Sequence, residues 1–194
     1  MIKAKKSLGQ NFLIDQNIID KIVNLVNIRN KNILEIGPGT GNLTSKLLDQ
    51  LPKKLTVIEK DNKLANLLKK NLGTKISIIN DDILKLDENN IENERLIVFG
   101  NLPYNISTEI LCKWILGIKD QNFWFDYLIL MFQKEVADRI IAKSNSSAYG
   151  RLSILSHWKL NIKKICDIKP ESFYPQPKIY SSLLFFSPKE KFFK

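Results

Sequence analysis

The chain has 194 residues, 44% hydrophobic and 26% charged, which is enough for one α/β domain with a real core. Thirty Lys and Arg against twenty Asp and Glu leave a net charge of +10, which favours a polyanionic partner, although solvated lysines across the surface account for the charge equally well. One histidine (His157) and two distant cysteines (Cys112, Cys166) exclude a histidine dyad and a Cys/His metal site, and no apolar run reaches the about 18 residues of a membrane span. The cysteines read as reduced core thiols of a cytoplasmic protein. The basic start, MIKAKKSLGQ, lacks an apolar signal core, so no secretory leader is expected.

In chain order, DQNIIDKIVNLVNI (15–28) spaces its apolar residues as a helix, with Asp15 as N-cap. NILEI (32–36) reads as a strand, followed by glycines and a helix over 44–51. A strand over 54–59 precedes a helix over 62–73 closed by Gly73. Further strands are predicted at 75–80, 95–100 and 125–133, with helices at 107–116, capped by Ser107, and at 134–143. The alternation predicts a doubly wound, mostly parallel α/β sheet, and continuous apolar runs such as LIVFG predict strands buried on both faces. Segments 158–169 and 178–187 read as two final strands joined by a proline-rich loop, an antiparallel end to the sheet.

Doubly wound sheets bind ligands at the carboxyl ends of their strands. The first predicted strand ends in EIGPGTGNL, with Gly37, Gly39 and Gly41. A dinucleotide fingerprint begun at Gly37 requires glycine or alanine at position 42, which is Asn42. The pattern is instead E-x-G-x-G-x-G, similar to the first motif of S-adenosylmethionine-dependent methyltransferases. Glu59, followed by Lys60, ends the next strand about 20 residues on, where an acid accepts from ribose hydroxyls. NDDIL offers Asp82 or Asp81 to an adenine amine, with Ile83 to pack on the ring; the sequence separates the two acids poorly. Upstream, Gln10 and Asn11 place amides beside Phe12 and Leu13, and packing of the phenyl ring is the simpler reading of that segment.

FGNLPYNIS (99–107) ends the fourth parallel strand at the same sheet edge. An exocyclic adenine nitrogen is a poor nucleophile because its lone pair is delocalised. The Asn101 side-chain oxygen and a nearby backbone carbonyl can accept its hydrogens, localise the lone pair and aim it at a methyl donor. Leu102 and Pro103 shape the turn, and Pro103 removes a competing N–H. Tyr104 offers a face for base stacking, worth about 1–3 kcal/mol. Phe173, on the proline-stiffened loop ESFYPQPKIYSS (171–182), can clamp the other face of a base taken out of its stack, with Lys178 near phosphate.

SLGQNFLID, ILEIGPGTGNLT, VIEKD, NDDIL, FGNLPYNIS, FQKEVADRI, AYGRLS and SFYPQPKIYSS together resemble the KsgA-type ribosomal RNA adenine dimethyltransferases. The resemblance runs from about Lys5 to about Ser187. It implies a Rossmann-like class I methyltransferase fold with seven strands. It implies dimethylation at N6 of two adjacent adenosines near the 3′ end of 16S rRNA, in the immature 30S subunit, by a monomer with no metal. It selects Asp82 over Asp81 and assigns the cofactor contacts to Asn11, Leu13, Gly37, Glu59, Asp82 and Asn101. It also matches Asn101 to Tyr104 and Phe173 to the target-adenine site. The expected RNA footprint is Lys5 and Lys6 (with Lys3) near the start, Arg139, Arg151 and Lys178. Residues 1–194 read as the catalytic domain alone, without the small helical domain that family members carry after it. Enzymes of the Erm class, which methylate large-subunit rRNA, share most of the pattern. Leu102, in place of a second proline, argues against adenine-DNA and protein-glutamine methyltransferases. The intact motifs argue against an RNA-binding factor without catalysis.

Overall fold

Strand residues divide by parity between two cores, because successive side chains leave a strand on opposite faces. The computed structural model describes residues 4, 5 and 8–192. In chain order it contains β1 (Phe12–Leu13), α1 (Gln16–Val23), β2 (Asn32–Ile36), α2 (Asn42–Asp49), β3 (Lys54–Ile58), α3 (Asn62–Leu72), β4 (Ser77–Ile79), β5 (Leu96–Asn101) and α4 (Ser107–Gly117). There follow β6 (Phe125–Gln133), α5 (Lys134–Ile141), α6 (Arg151–Lys159), β7 (Leu160–Ile168), β8 (Phe173–Tyr174) and β9 (Ser181–Pro188). Leu34, Ile36, Val98, Leu128 and Leu130 pack in one core with Ile110, Leu111 and Trp114 of α4. Ile33, Val57, Ile97, Phe99 and Ile129 enter the other core, with Ile19 and Ile22 of α1 and Leu43 and Leu47 of α2.

The seven-stranded sheet has the order β4-β3-β2-β5-β6-β9-β7. Strands β4 through β6 in that order are parallel; β9 runs antiparallel to both β6 and β7. The expected mixed sheet with an antiparallel end is therefore present, with the last strand inside and β7 at the edge. β1 and β8 form a separate antiparallel pair, Leu13 opposite Phe173. In register, Ile36 of β2 lies opposite Ile58 of β3 and Gly100 of β5. The turns that follow these three strands therefore emerge side by side, and this positions the site.

Local signals act mostly as expected. Asp15 caps α1, its Oδ1 accepting from the Asn17 and Ile18 amides at 3.0 and 3.3 Å. Gly73 ends α3 at φ 54°. Ser107 is not the cap of α4: Ile106 holds that position, and the Ser107 hydroxyl donates back to the Tyr104 carbonyl at 3.3 Å. The strand predicted from 158 begins only at Leu160, because residues 151–159 form α6. That helix buries Ser153, Ser156 and Lys159 while Ile154 faces water, so hydrophobic spacing does not reveal it. Lys159 instead donates to the Ile115 and Ile118 carbonyls at 3.0 and 2.7 Å, satisfying the open end of α4. Among the described residues, no helix is long and apolar enough to cross a membrane.

Candidate active site

The turn after β2 sits in a cleft together with the ends of β3 and β5 and the segment 8–13. Gly39 has φ 59°, and a Cβ there would lie 2.7 Å from Phe12 Cδ1. Only glycine accommodates both the left-handed backbone and the ring lying on it. The Gly39 amide donates to Glu59 Oε2 at 3.2 Å, and the Asp61 amide to Glu59 Oε1 at 2.8 Å. Glu59 is 6% exposed; burial raises its pKa, and the Asp61 and Gly39 amides pull it back. Each carboxylate oxygen keeps lone-pair capacity for a ligand hydroxyl.

Next along the cleft, Asp82 Oδ2 accepts from Lys60 Nζ at 2.7 Å and Oδ1 from the Leu84 amide at 3.1 Å. The Lys60 ammonium holds its pKa below the usual carboxylate value. Asp81 also lines the cleft, but it is exposed and its Oδ1 accepts from the Asp82 amide at 2.7 Å, bracing the turn. Ile83 is buried against this wall. Lys113 of α4 supports the turn from behind. Its ammonium donates to the Ile83 carbonyl (2.9 Å), to the Leu86 carbonyl and to Glu88 Oε1 (2.6 Å), and Trp114 Nε1 donates to the same Glu88 oxygen at 2.7 Å.

The N-terminal segment 8–13 adds a further part of the wall. Lys5 Nζ and Gln10 Nε2 both reach Asp61 Oδ2, at 2.9 and 3.2 Å, and Asn42 Nδ2 donates to the Leu13 carbonyl at 2.8 Å. Asn101 Nδ2 donates to the Asn11 carbonyl at 2.6 Å. That bond fixes the amide and leaves its Oδ1 as the acceptor offered to the cleft. A Cβ at Gly37 would meet the Asn101 carbonyl at 3.4 Å, so the glycine turn and the asparagine are neighbours. Leu102, Pro103 and Tyr104 continue the lining. The Tyr104 hydroxyl lies 2.5 Å from Ser181 Oγ, and burial raises its pKa. At the floor, Glu35 is fully enclosed. Burial lifts its pKa to about 8; the Thr44 hydroxyl pulls the other way without closing a hydrogen bond, and Glu59 adds to the rise. Glu35 Oε2 has no partner among the described residues.

An acid at a strand end, a glycine turn and an oriented amide beside a tyrosine form one cleft, an arrangement suited to presenting an amine to a nucleoside-bearing donor. The family described as Ribosomal RNA adenine dimethylase matches residues 1–194. The chain belongs to this family. The ribosomal RNA small subunit methyltransferase A of Pelagibacter ubique is 68% identical over 193 residues, covering 100% of this chain and 73% of the relative. The enzyme of that name from a Wolbachia of Drosophila simulans is 47% identical, over 97% of this chain and 69% of its own length. A dimethyladenosine transferase structure from Plasmodium falciparum superposes with a TM-score of 0.80 at 33% identity, over 92% of this chain. This chain spans 64% of that one. The structure of the 23S rRNA methyltransferase ErmE gives 0.76 at 26% identity, over 94% of this chain and 71% of that one.

In this member of the rRNA adenine dimethylase family, the cleft gathers Gln10, Asn11, Leu13, Gly37, Gly39, Glu59, Lys60, Asp82, Ile83 and Asn101 to Tyr104 from the sequence reading. Gly41 is not part of the lining. It caps α2 at φ 87°, and a Cβ there would lie 2.8 Å from Leu68 Cδ2, so it serves helix packing. Phe173 also differs from expectation. It is 2% exposed and packs in the core that contains Leu13, because β8 pairs with β1; Tyr174, after which the chain takes a cis bond to Pro175, is 50% exposed. The stacking face expected at Phe173 is therefore covered in this structure.

The expected RNA contacts scatter. Lys5 is bound to Asp61, the neighbour of the cleft-lining Lys60, and Lys6, like Lys3, lies outside the described residues. Arg139 and Lys178 share a second groove; Arg151 starts α6 without lining it. The sequence reading missed Asp61, Glu35, Lys113, Glu88 and Ser181. Asp61 follows Glu59 and Lys60 directly, and Glu35 opens the glycine motif, so both carried a signal; Lys113, Glu88 and Ser181 are brought to the site by tertiary packing alone.

Proposed function

We propose that this chain transfers methyl groups from S-adenosylmethionine to N6 of two adjacent adenosines near the 3′ end of 16S rRNA, giving N6,N6-dimethyladenosine as the small subunit is assembled. The observation that carries the reading is the bond from Asn101 Nδ2 to the Asn11 carbonyl, next to the Gly37 turn. It commits the donor half of the amide and leaves the acceptor half to the substrate amine. Family membership and small-subunit relatives support the substrate assignment.

The residues of the cleft fit the cofactor. Glu59 would take the ribose hydroxyls, Asp82 the adenine amine and Ile83 the adenine face, with the Gly37–Gly39 turn and Asn11 beside the remaining arm. The buried, unpartnered Glu35 oxygen leaves a polar valence at the floor for a ligand or its water to complete. When bound, the cofactor supplies an electrophilic methyl group on sulfur. Asn101 Oδ1 accepts a hydrogen from the exocyclic amine and localises its lone pair. Tyr104, anchored by Ser181, stacks on the base, and the rigid Leu102–Pro103 turn holds the amine in place, so that positioning supplies much of the rate. Residues 1–194 would act as a monomeric catalytic domain in the cytoplasm on immature 30S subunits.

The test is incubation with labelled S-adenosylmethionine and isolated subunits lacking the modification, followed by mapping of the labelled nucleotide. The expected label falls on two neighbouring adenosines of the small-subunit RNA. Label confined to large-subunit RNA would replace this reading with the specificity named for ErmE.

A further inference from the structure

Beside the active-site cleft, an open groove of about 850 Å³ runs between α5, residues 147–150 and the 178–180 strand entry, a size within the range of ligand sites. Two tyrosines on its walls show large parts of their rings to water, Tyr149 at 42% and Tyr180 at 46%. Arg139 and Lys178 line the same groove and are exposed, and among the described residues neither has a carboxylate partner. The acids nearby do not cancel them. Asp138 is occupied by Lys134 at 2.8 Å and by Lys164 at 3.3 Å, which leaves Glu135 as the one exposed acid of the groove lining.

The groove is linked to the tyrosine of the active site through the buried Ser181. The Lys134 amide donates to the Tyr180 carbonyl at 2.9 Å. The next residue, Ser181, pairs with Gln133 across β6 and β9, and its hydroxyl lies 2.5 Å from the Tyr104 hydroxyl. Exposed rings with unpaired cations, one hydrogen bond away from a base-stacking tyrosine, match the needs of single-stranded RNA. The rings take base faces and the cations take phosphates. A base drawn out of its stack also strips its neighbour of a stacking partner, and that neighbour needs a surface.

We propose that this groove is a subsite for the unpaired nucleotide next to the target adenosine, with its base on Tyr149 or Tyr180 and its phosphate on Arg139 and Lys178. The proposal rests on the methyl-transfer reading for the identity of the target. The test measures binding of a labelled single-stranded RNA of about ten nucleotides across a series of KCl concentrations. The full chain is compared with Tyr149→Ala/Tyr180→Ala, Tyr149→Phe/Tyr180→Phe and Arg139→Ala/Lys178→Ala. Cofactor affinity and melting temperature are measured alongside as controls for folding.

The alanine pair at the tyrosines should weaken RNA binding at least about fivefold, and the phenylalanine pair should restore it, because stacking needs the ring and not the hydroxyl. Loss of the two cations should flatten the slope of log K against log salt by about 1.4, or about 0.7 for each lost phosphate contact. Parental RNA affinity and parental salt slope in both alanine pairs, at unchanged cofactor affinity, would overturn the subsite. If one pair fails to fold, the single variants Arg139→Ala and Tyr180→Ala carry the same comparison. A parent that binds RNA through the groove yet methylates no subunit would overturn the methyl-transfer reading alone.

Discussion

The glycine-turn side of the cleft and the α5–β9 side of the molecule handle charge by opposite means. On the first side, acids are sunk into the protein: Glu59 is held by two backbone amides, Asp61 by Lys5 and Gln10, and Glu35 lies at the floor with its proton retained by burial. On the second, Arg139 and Lys178 stand in water between exposed tyrosines. A small ligand with fixed hydroxyls and amines is best met by groups whose positions are settled beforehand. A flexible polymer is best met by long side chains that adapt, and their attraction is screened by salt. The two sides meet at Asn101 and Tyr104.

If that division holds, variants on the buried side should change cofactor affinity or transfer with little salt dependence. The largest effect is expected at the junction. Asn101→Ala should lower kcat by about 10²–10³, the cost of removing one oriented polar group at a reaction centre, while the melting temperature stays within a few degrees; single-turnover kinetics and a thermal melt check both. Glu59→Ala should weaken cofactor binding by more than about tenfold, as expected for hydrogen bonds to a charged group. Calorimetry giving parental affinity would remove the ribose assignment. Gly39→Ala should cost about tenfold in cofactor affinity, since a Cβ would drive into Phe12 at a left-handed position. Gly117→Ala, with nothing within 4 Å, is its neutral control.

Lys113→Met leaves Glu88 buried with only Trp114 to satisfy it and frees the Ile83 turn. Denaturant unfolding should show a loss of about 1–3 kcal/mol, together with a smaller, about threefold, loss of cofactor affinity. A pH slope is also expected. The Glu35 carboxyl titrates near 8 when folded against an ordinary value of 4.5, so the folded protein holds the extra proton between those values. Stability should therefore fall as pH rises from about 4.5 to about 8, and Glu35→Gln should flatten that slope, as measured by denaturant midpoints at pH 6 and pH 8.

Much of the glycine-turn side of the cleft was legible because its signals are local. β2 and β6 fall where their apolar runs place them, at Asn32–Ile36 and Phe125–Gln133. Gly39 and Glu59 are identifiable because a strand-to-turn junction and a strand end dictate residue type. α6 was illegible because Ser153, Ser156 and the Lys159 stem share its buried side with Leu152 while Ile154 faces water, a mixture that hydrophobic spacing does not register. The burial of Phe173 was illegible for a related reason. An aromatic in a proline-rich loop looks free, yet the two-residue pairing with Leu13, distant in sequence, turns it inward. Lys113 and Ser181 carry no sequence signal, since each acts through a partner at least 25 residues away.

The measurement that bears most directly on the shared cleft is a crystal structure with S-adenosylhomocysteine. The ribose should lie on Glu59, the adenine against Asp82 and Ile83, and the sulfur should face Asn101 across the Gly37 turn. A ligand whose sulfur points away from Asn101, or one that settles in the Arg139–Tyr149 groove instead, would contradict the account.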